Sequence, residues 1–496
     1  MENIEIKIER IPGYVLEILQ KINKSNFEAY IVGGCVRDLL MASYAKASEA
    51  KVREPNDWDV TTSAKPEEIL KIFPDGKYDN VFGTVLVKIK NKKGKTEEVV
   101  EVTTYRSEQG YSDRRHPDEI RFEEKLDKDL ERRDFTVNAM AWNEKEGIID
   151  LFGGRKDIRK RVIRAVGEPI DRFKEDALRM MRAIRFSSQL GFEIEPKTER
   201  GAMKMSGSIK YISNERIKDE LVKILESDKS YEGAMNLYRS NLLRYIIPEL
   251  LLGEKCKQDR HHIYTVMKHN MLSLKHCPSK DWRVRMASWL HDIGKPKTRV
   301  IRGGIATFYN HEYASAKITS KIMKRLKFSL ADTEKVVNLV RYHMFYYNVD
   351  EVTASSVRRL IRKVGKENLK DIINVRVADR LGSGTPKAKP YKLRHLEYMF
   401  ERVQNDPVSV KDLKLNGDYM IAEMDFKPGP KMGAILDVLL SEVIEDPKLN
   451  DLEILKKRAI ELDKLEIKEL RIKAKNAIEE KRKKDDRKMR KEFHVK

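Results

Sequence analysis

Cysteine is scarce in this chain: three residues in 496, Cys35, Cys256 and Cys277, with no CxxC pair among them. That excludes a disulfide framework and points to a reducing, cytoplasmic setting. Long apolar runs are missing as well. No stretch approaches the roughly 18 residues of a membrane span, and the opening MENIEIKIER has no signal-peptide core. Acid is short relative to base, 79 Asp and Glu against 100 Lys and Arg, for a formal net charge of +21. No strongly apolar amphipathic face accompanies that charge, so it favours nucleic acid over a membrane surface as partner. What remains is a charge-rich chain long enough for several domains with sizeable cores.

The first 150 residues mix strand and helix patterns. A helix is expected over residues 11 to 25, and an apolar run from Phe27 to Val32 reads as a buried strand ending in Gly33-Gly34. Met41 to Asn56 is polar and reads as a surface insertion. Pro66 to Phe73 reads as a helix with proline near its first turn. Val81 to Ile89 and Glu98 to Thr104 read as strands joined by the turn NKKGK, and Arg106 to Glu119 as a Gly/Ser/Asp-rich loop. From Arg172 onward the periodicity is helical, with breaks at Gly191, Ser206-Gly207, Pro248 and Pro278. GSGTPKAKP at 382–390 is a loop or linker. In Lys481 to Lys491, eight of eleven residues are Lys or Arg, a solvated helix end or a contact for RNA phosphates.

Three constellations carry chemistry in this part. Two glycines at a strand–helix turn let the backbone approach an anion. Asp57-Trp58-Asp59 places two carboxylates at i and i+2, on one face if the segment is a strand; their repulsion calls for a divalent cation. A third carboxylate is expected from Glu101 or its competitor Glu98. Arg132-Arg133 suits a triphosphate clamp, with Asp134 and Asn138 as partners for a sugar hydroxyl. Arg179, Arg182 and Arg185 recur every three residues and so share a helix face. Asp176 and Arg179 together match the amino donor and ring-nitrogen acceptor that cytosine and adenine share, and mismatch guanine and uracil.

GGCVRD, DWDV, RRDFTVNAM, DLFGGRKDI, EDALRMMRAIRF and ISNERIKDEL occur in that order. In this the chain resembles the bacterial tRNA nucleotidyltransferases, the CCA-adding enzymes of the class II polymerase-β-like nucleotidyltransferases, strongly over residues 27 to 225. The resemblance implies an α+β chain. Its mixed-sheet head (1–149) would be followed by a helical neck (150–225), body (226–390) and basic, tRNA-binding tail (391–496). It implies Mg2+ on Asp57 and Asp59. It implies nucleotide contacts from Gly34, Arg37, Arg133, Asp176, Arg179, Arg182 and Arg185, with Asp176 and Arg179 reading the base. The implied reaction is template-independent attack of the tRNA 3′-hydroxyl on the α-phosphate of CTP and then ATP, with no covalent intermediate. The gap between Asp38 and Asp57 is longer than usual for the family, and Ser43 to Asn56 is expected to bulge outward. Enzymes adding only CC or only A, and poly(A) polymerases, share much of this pattern.

A second set stands apart. Seven of the ten histidines lie between His261 and His343. His269, His291-Asp292, His311, His343 and Asp379 form an ordered series that resembles the HD phosphohydrolases. Such ligands suit nickel, manganese or iron, with hydrolysis of phosphomonoesters or 2′,3′-cyclic phosphates as the implied activity; the alternative is a helical body that keeps the ligands unused.

Overall fold

The computed structural model describes residues 6–44, 54, 55, 57–79, 83–90, 96–109, 119–258, 263–345, 347, 348, 352–385, 387–403 and 406–473. The chain divides into two units, Met1–Pro248 with Arg325–Lys327, and Glu249–Lys324 with Phe328–Lys496.

The first unit is organised on a mixed sheet. Its strands are β1 (Ala29–Val32), β2 (Asp59–Thr62), β3 (Lys77–Tyr78), β4 (Thr84–Lys90) and β5 (Thr96–Thr104). After a separate hairpin, β6 (Arg106–Gln109) and β7 (Glu119–Phe122), come β8 (Ala141–Asn143) and β9 (Gly147–Ile149). The seven-stranded order is β3-β4-β5-β2-β1-β8-β9. β1 is AYIV, buried at every position, as a strand covered on both faces must be. It runs antiparallel to β2 and β8, whereas β2 and β5 are parallel. Ile18, Leu39, Val60, Val102, Phe135 and Met140 meet in the core beside this sheet.

Gly33 turns the chain from β1 into the helix Gly34–Tyr44, at φ +84°. A Cβ there would lie 2.9 Å from Nη1 of Arg133, so the position needs glycine both for its backbone and for the approach of that side chain. Helices Gly13–Lys24 and Pro66–Ile72 lie where the sequence places them. The ends of the expected loop at Arg106–Glu119 pair instead as β6 and β7; alternating Arg, Ser, Glu and Gln give little apolar signal, and the pairing comes from the ladder. Residues 110–118, 45–53, 56, the NKKGK turn and the basic run 481–491 lie outside the described residues.

Beyond the sheet the first unit is helical, with Pro169–Glu175, Leu178–Leu190, Pro196–Met205, Asn214–Glu226 and Ser230–Arg239 as its main elements. Gly191 closes the second of these at φ +68°. The helical part is not purely helical: Val162–Ile163 pairs in parallel with Glu193–Ile194.

Among the described residues the second unit is helical apart from one hairpin, Val300–Arg302 with Ile305–Thr307, turned by Gly303-Gly304. Helices Val266–Lys275, Trp282–Leu290, Leu330–Tyr342 and Leu369–Gly382 form its first bundle. A later core gathers Leu415, Ile435, Leu439, Leu455 and Leu462. Among the described residues no helix is long and apolar enough to cross a membrane.

Candidate functional site

Asp59 opens β2, and in the β2–β5 ladder it stands directly opposite Glu101. Registered partners in a parallel pair point to the same face. Asp57, two residues earlier and exposed, adds a third carboxylate. The acids feel one another. Asp59 is shifted up by burial, then held down by Arg133 and pushed up by Asp57. Glu101 is shifted up by burial, then by Asp59, Asp79 and Asp57. Glu98, three residues from Glu101, falls on the other face of β5, opposite Ile89. Its charge is felt by Tyr14, whose hydroxyl is pushed up by burial and then by Glu98. Strand parity therefore brings Glu101, and not Glu98, to the aspartates. Three mutually repelling hard oxygen donors fit Mg2+.

The arginines around this group are individually braced. Asp129, fully buried, accepts from Arg132 at 2.6 Å and from Arg133 at 3.1 Å. Arg37 is buried; its Nε donates to Asp38 at 2.9 Å and its Nη1 to Oδ1 of Asn138 at 2.6 Å. Asp134 accepts from Arg182 at 2.6 Å, from Asn138 at 3.2 Å and from the amide of Phe135 at 2.9 Å. Both its oxygens are thus engaged within the protein. Phe186 underlies three of the guanidiniums: Arg185 is 4.2 Å from its ring centroid, and Arg37 and Arg182 are each 5.4 Å away. Cation–π attraction offsets part of their mutual repulsion. Arg185 itself is buried in an ion pair with Glu220 at 2.9 Å. Its guanidinium is shifted down by burial, against Glu220, with Arg182 adding to the fall.

Asp134 has a measurable consequence. Burial alone would raise its carboxyl, but Arg182 and Arg179 outweigh that and hold it at about 2. A depressed folded-state pKa gives stability that is full above the unfolded value near 4 and is lost as pH falls toward about 2. Asp134→Asn is expected to flatten the acid limb of a denaturation series over that window and to leave the limb above about pH 5 unchanged in slope.

Asp176 lies at the joint between Pro169–Glu175 and Leu178–Leu190, in extended backbone. Its carboxylate accepts from Arg216 at 2.7 Å and from the Leu178 amide at 2.9 Å. Arg179 donates to Glu175 and to the carbonyl of Arg132 at 3.2 Å. The side chains of Asp176 and Arg179 are thus each held by a different neighbour. Arg216 and Glu220, both in NERIKDEL, had no role from sequence; their partners lie 40 and 35 residues away. Asp129 had a local signal, an acid three and four residues before a pair of arginines.

In the second unit the histidine series converges. His269 comes from Val266–Lys275, and His291 and Asp292 follow directly on Trp282–Leu290. His311 opens His311–Arg325, His343 follows Leu330–Tyr342, and Asp379 lies in Leu369–Gly382. Nε2 of His269 is 3.0 Å from Nε2 of His291 and 3.3 Å from Asp379. Nδ1 of His291, His311 and His343 faces the carbonyls of Ser288, Phe308 and Val340 at 2.7–2.8 Å. These carbonyls accept from Nδ1, so Nε2 of each ring turns inward, as a bare acceptor wherever the ring is neutral. Nε2 of His311 then meets Oδ1 of Asp292 at 3.1 Å, acceptor against acceptor, and both atoms are buried without a hydrogen bond. Only a proton or a cation satisfies such a pair. His343 is pushed down to about 4, first by burial. His291 is held up to about 10 by Asp292 and Asp379 in spite of burial. Lys295 reaches Asp292 at 2.5 Å and Gln258 at 2.7 Å. The donor set fits a transition-metal dication.

The family model of the poly A polymerase head domain matches residues 29–164. That of the "Probable RNA and SrmB- binding site of polymerase A" matches 191–252, and that of tRNA nucleotidyltransferase domain 2 matches 305–459. The CCA-adding enzyme of Ligilactobacillus salivarius is 33% identical over 92% of this chain and 98% of its own. The A-adding tRNA nucleotidyltransferase of Deinococcus radiodurans is 34% identical over 63% of this chain and 74% of its own. The solved CCA-adding enzyme of Bacillus stearothermophilus in complex with CTP superposes with a TM-score of 0.65 at 27% identity, covering 91% of this chain and 97% of that one. With this agreement along nearly its whole length, the chain belongs to the CCA-adding enzyme family of tRNA nucleotidyltransferases.

Proposed function

We propose that this enzyme adds CCA to the 3′ end of tRNA from CTP and ATP, without a nucleic-acid template. The observation that carries the reading is the Asp57, Asp59 and Glu101 group set beside the Gly33-Gly34 turn and Arg133. Bound Mg2+ supplies a lowered pKa for the attacking 3′-hydroxyl and charge neutralisation on the phosphates. The protein's own part is positioning and electrostatics. Gly34 brings a helix N-terminus to the phosphates, and Arg37, Arg133 and Arg182 oppose their charge. Arg185 sets the others through Phe186. Asp176 accepts from the exocyclic amino group of the base and Arg179 donates to its ring nitrogen, Arg216 and Glu175 holding the two in place. RNA is held through phosphates along the neck and tail.

Purified protein incubated with tRNA ending at the discriminator base, CTP and ATP tests this reading. The expected product carries two cytidines and one adenosine. Addition of A alone would place the chain with its A-adding relative, and a long adenosine tail that ignores CTP would make it a poly(A) polymerase.

A second reading rests on the His311–Asp292 contact between two buried acceptors. We infer that His269, His291, Asp292, His311, His343 and Asp379 hold nickel, manganese or iron. That ion's contribution would be Lewis-acid assistance to hydrolysis of phosphomonoesters or 2′,3′-cyclic phosphates.

A further inference from the structure

The helix Tyr391–Val403 has one face fixed by packing and one that packing leaves open. Leu393, Leu396, Met399, Phe400 and Val403 are buried. Tyr391 and Tyr398 are 63% and 56% exposed. Between them, at the i, i+4 and i+7 positions of one face, is His395. Its ring centroid is 5.9 Å from that of Tyr391 and 6.0 Å from that of Tyr398. The Tyr347 hydroxyl hydrogen-bonds with Nδ1 of His395. This fixes the central ring and leaves the two flanking tyrosines with outward faces. The interplanar angles of 46° and 54° rule out a slot for a base between the rings. A slot needs parallel faces about 7 Å apart, twice the contact distance between carbon atoms. The open surfaces are therefore the outer faces of Tyr391 and Tyr398, each suited to one unpaired base.

The charge around the rings argues for the occupant. Lys387, Lys392, Arg394 and Arg402 are exposed on this helix and the turn before it. Of the two acids on the helix, Glu397 already pairs with Lys389 at 2.6 Å. Exposed aromatic rings interleaved with basic side chains are the arrangement that grips unpaired nucleic acid.

We propose that the Tyr391–His395–Tyr398 face is a stacking platform for unpaired nucleobases of the RNA substrate, with Lys392 and Arg394 on the adjoining phosphates. This rests on tRNA being the substrate. Stacking on a neutral ring releases no counterion, so its energy is independent of salt, whereas phosphate contacts set the salt slope.

Binding of full-length protein to full-length tRNA lacking CCA, titrated across salt concentration, tests the proposal. Tyr391→Ala and Tyr398→Ala are each expected to weaken affinity about tenfold at every salt concentration, with the slope of log K against log salt unchanged. Tyr398→Phe and Tyr391→Trp should bind as the parent does. Because both rings are exposed, melting temperatures should not move. The Lys392→Ala, Arg394→Ala double variant should reduce the slope by about two. Alanine variants that bind tRNA within about twofold of the parent overturn the platform. So does loss of self-association with unchanged RNA affinity, which would make a second copy of the chain the occupant. An unchanged slope in the double variant overturns the phosphate contacts of Lys392 and Arg394, and together with unchanged affinity in the tyrosine variants it removes RNA from this face altogether. That result leaves the substrate reading intact as long as the parent still extends tRNA; absence of extension by the parent defeats the substrate reading itself.

Discussion

Asp59→Asn is expected to lower single-turnover nucleotide addition by about a thousandfold or more, while the protein stays folded and, without Mg2+, becomes no less stable. The loss follows from removing one hard donor from a set of three that sits where charge builds on the phosphates. The stability arm follows from sign. The Asp59 and Glu101 carboxyls are shifted up, burial first and neighbouring acids next. A raised folded-state pKa means that the stability these groups contribute is present below their unfolded pKa and is lost as pH rises through the folded one. At neutral pH the metal-free acids therefore strain the fold, and asparagine relieves one member at nearly constant volume. Glu101→Gln should fall in the same direction, and Glu98→Gln should leave addition within about twofold, because strand parity turns it away. His291→Ala should leave addition intact, since the Asp59 group is built wholly from first-unit residues. A full-activity Asp59→Asn enzyme would remove the reading of Asp59 as a Mg2+ ligand. Equal losses for Glu98→Gln and Glu101→Gln would remove the assignment of the third carboxylate.

The sequence carries the part of this site that is local. Gly33-Gly34 after an all-apolar strand, Asp57 and Asp59 at a two-residue spacing, and arginines every three residues on a helix are readable because period and neighbour fix their faces. What escapes is whatever depends on register between distant segments. Glu98 and Glu101 are alike as residues, and only the pairing of β5 beside β2 separates them. Asp134 reads locally as a partner for a sugar hydroxyl; its bond from Arg182, 48 residues on, has no local signal. Asp176 and Arg179, three residues apart, read from sequence as one pair facing a base. The joint at Asp176 breaks the helix there and hands the two side chains to Arg216 and Glu175. Fold class was legible for the same reason as the local site: long helical periodicity dominates after Arg172. The exceptions, the Val300–Thr307 hairpin and the Val162–Ile194 pairing, are two- and three-residue strands too short to show a period.

The histidine series predicts the second large effect. Protein purified without chelator is expected to hold about one transition dication per chain by elemental analysis. Stripping it should lower stability by about 4 kcal/mol relative to metal at a thousandfold over Kd. The affinity follows from what the ion satisfies. Asp292 is buried, with Oδ1 shared between Nε2 of His311 at 3.1 Å and Nε2 of His343 at 3.6 Å, all three lacking a hydrogen bond. Backbone carbonyls take the Nδ1 protons of His311 and His343, so their Nε2 atoms face Asp292 as acceptors, while His291, held up to about 10 by Asp292 and Asp379 in spite of burial, gives up a proton when an ion arrives. A preorganised acceptor cage gains most from a cation and tolerates its absence worst. His291→Ala and Asp292→Asn should each abolish the bound metal, and with it any hydrolysis of a cyclic phosphodiester, while Asp59→Asn keeps both. Lys295, which touches Asp292 at 2.5 Å, gives the internal control. Lys295→Met removes a positive charge beside the cage, so it should retain the metal or bind it more tightly. Metal retained by His291→Ala would show that the ion sits elsewhere. Metal bound by the parent but no phosphoester hydrolysed would leave the cage a purely structural clamp, its ion joining five helical segments that also bury apolar side chains such as Leu274, Val284, Ile322, Leu339 and Val375.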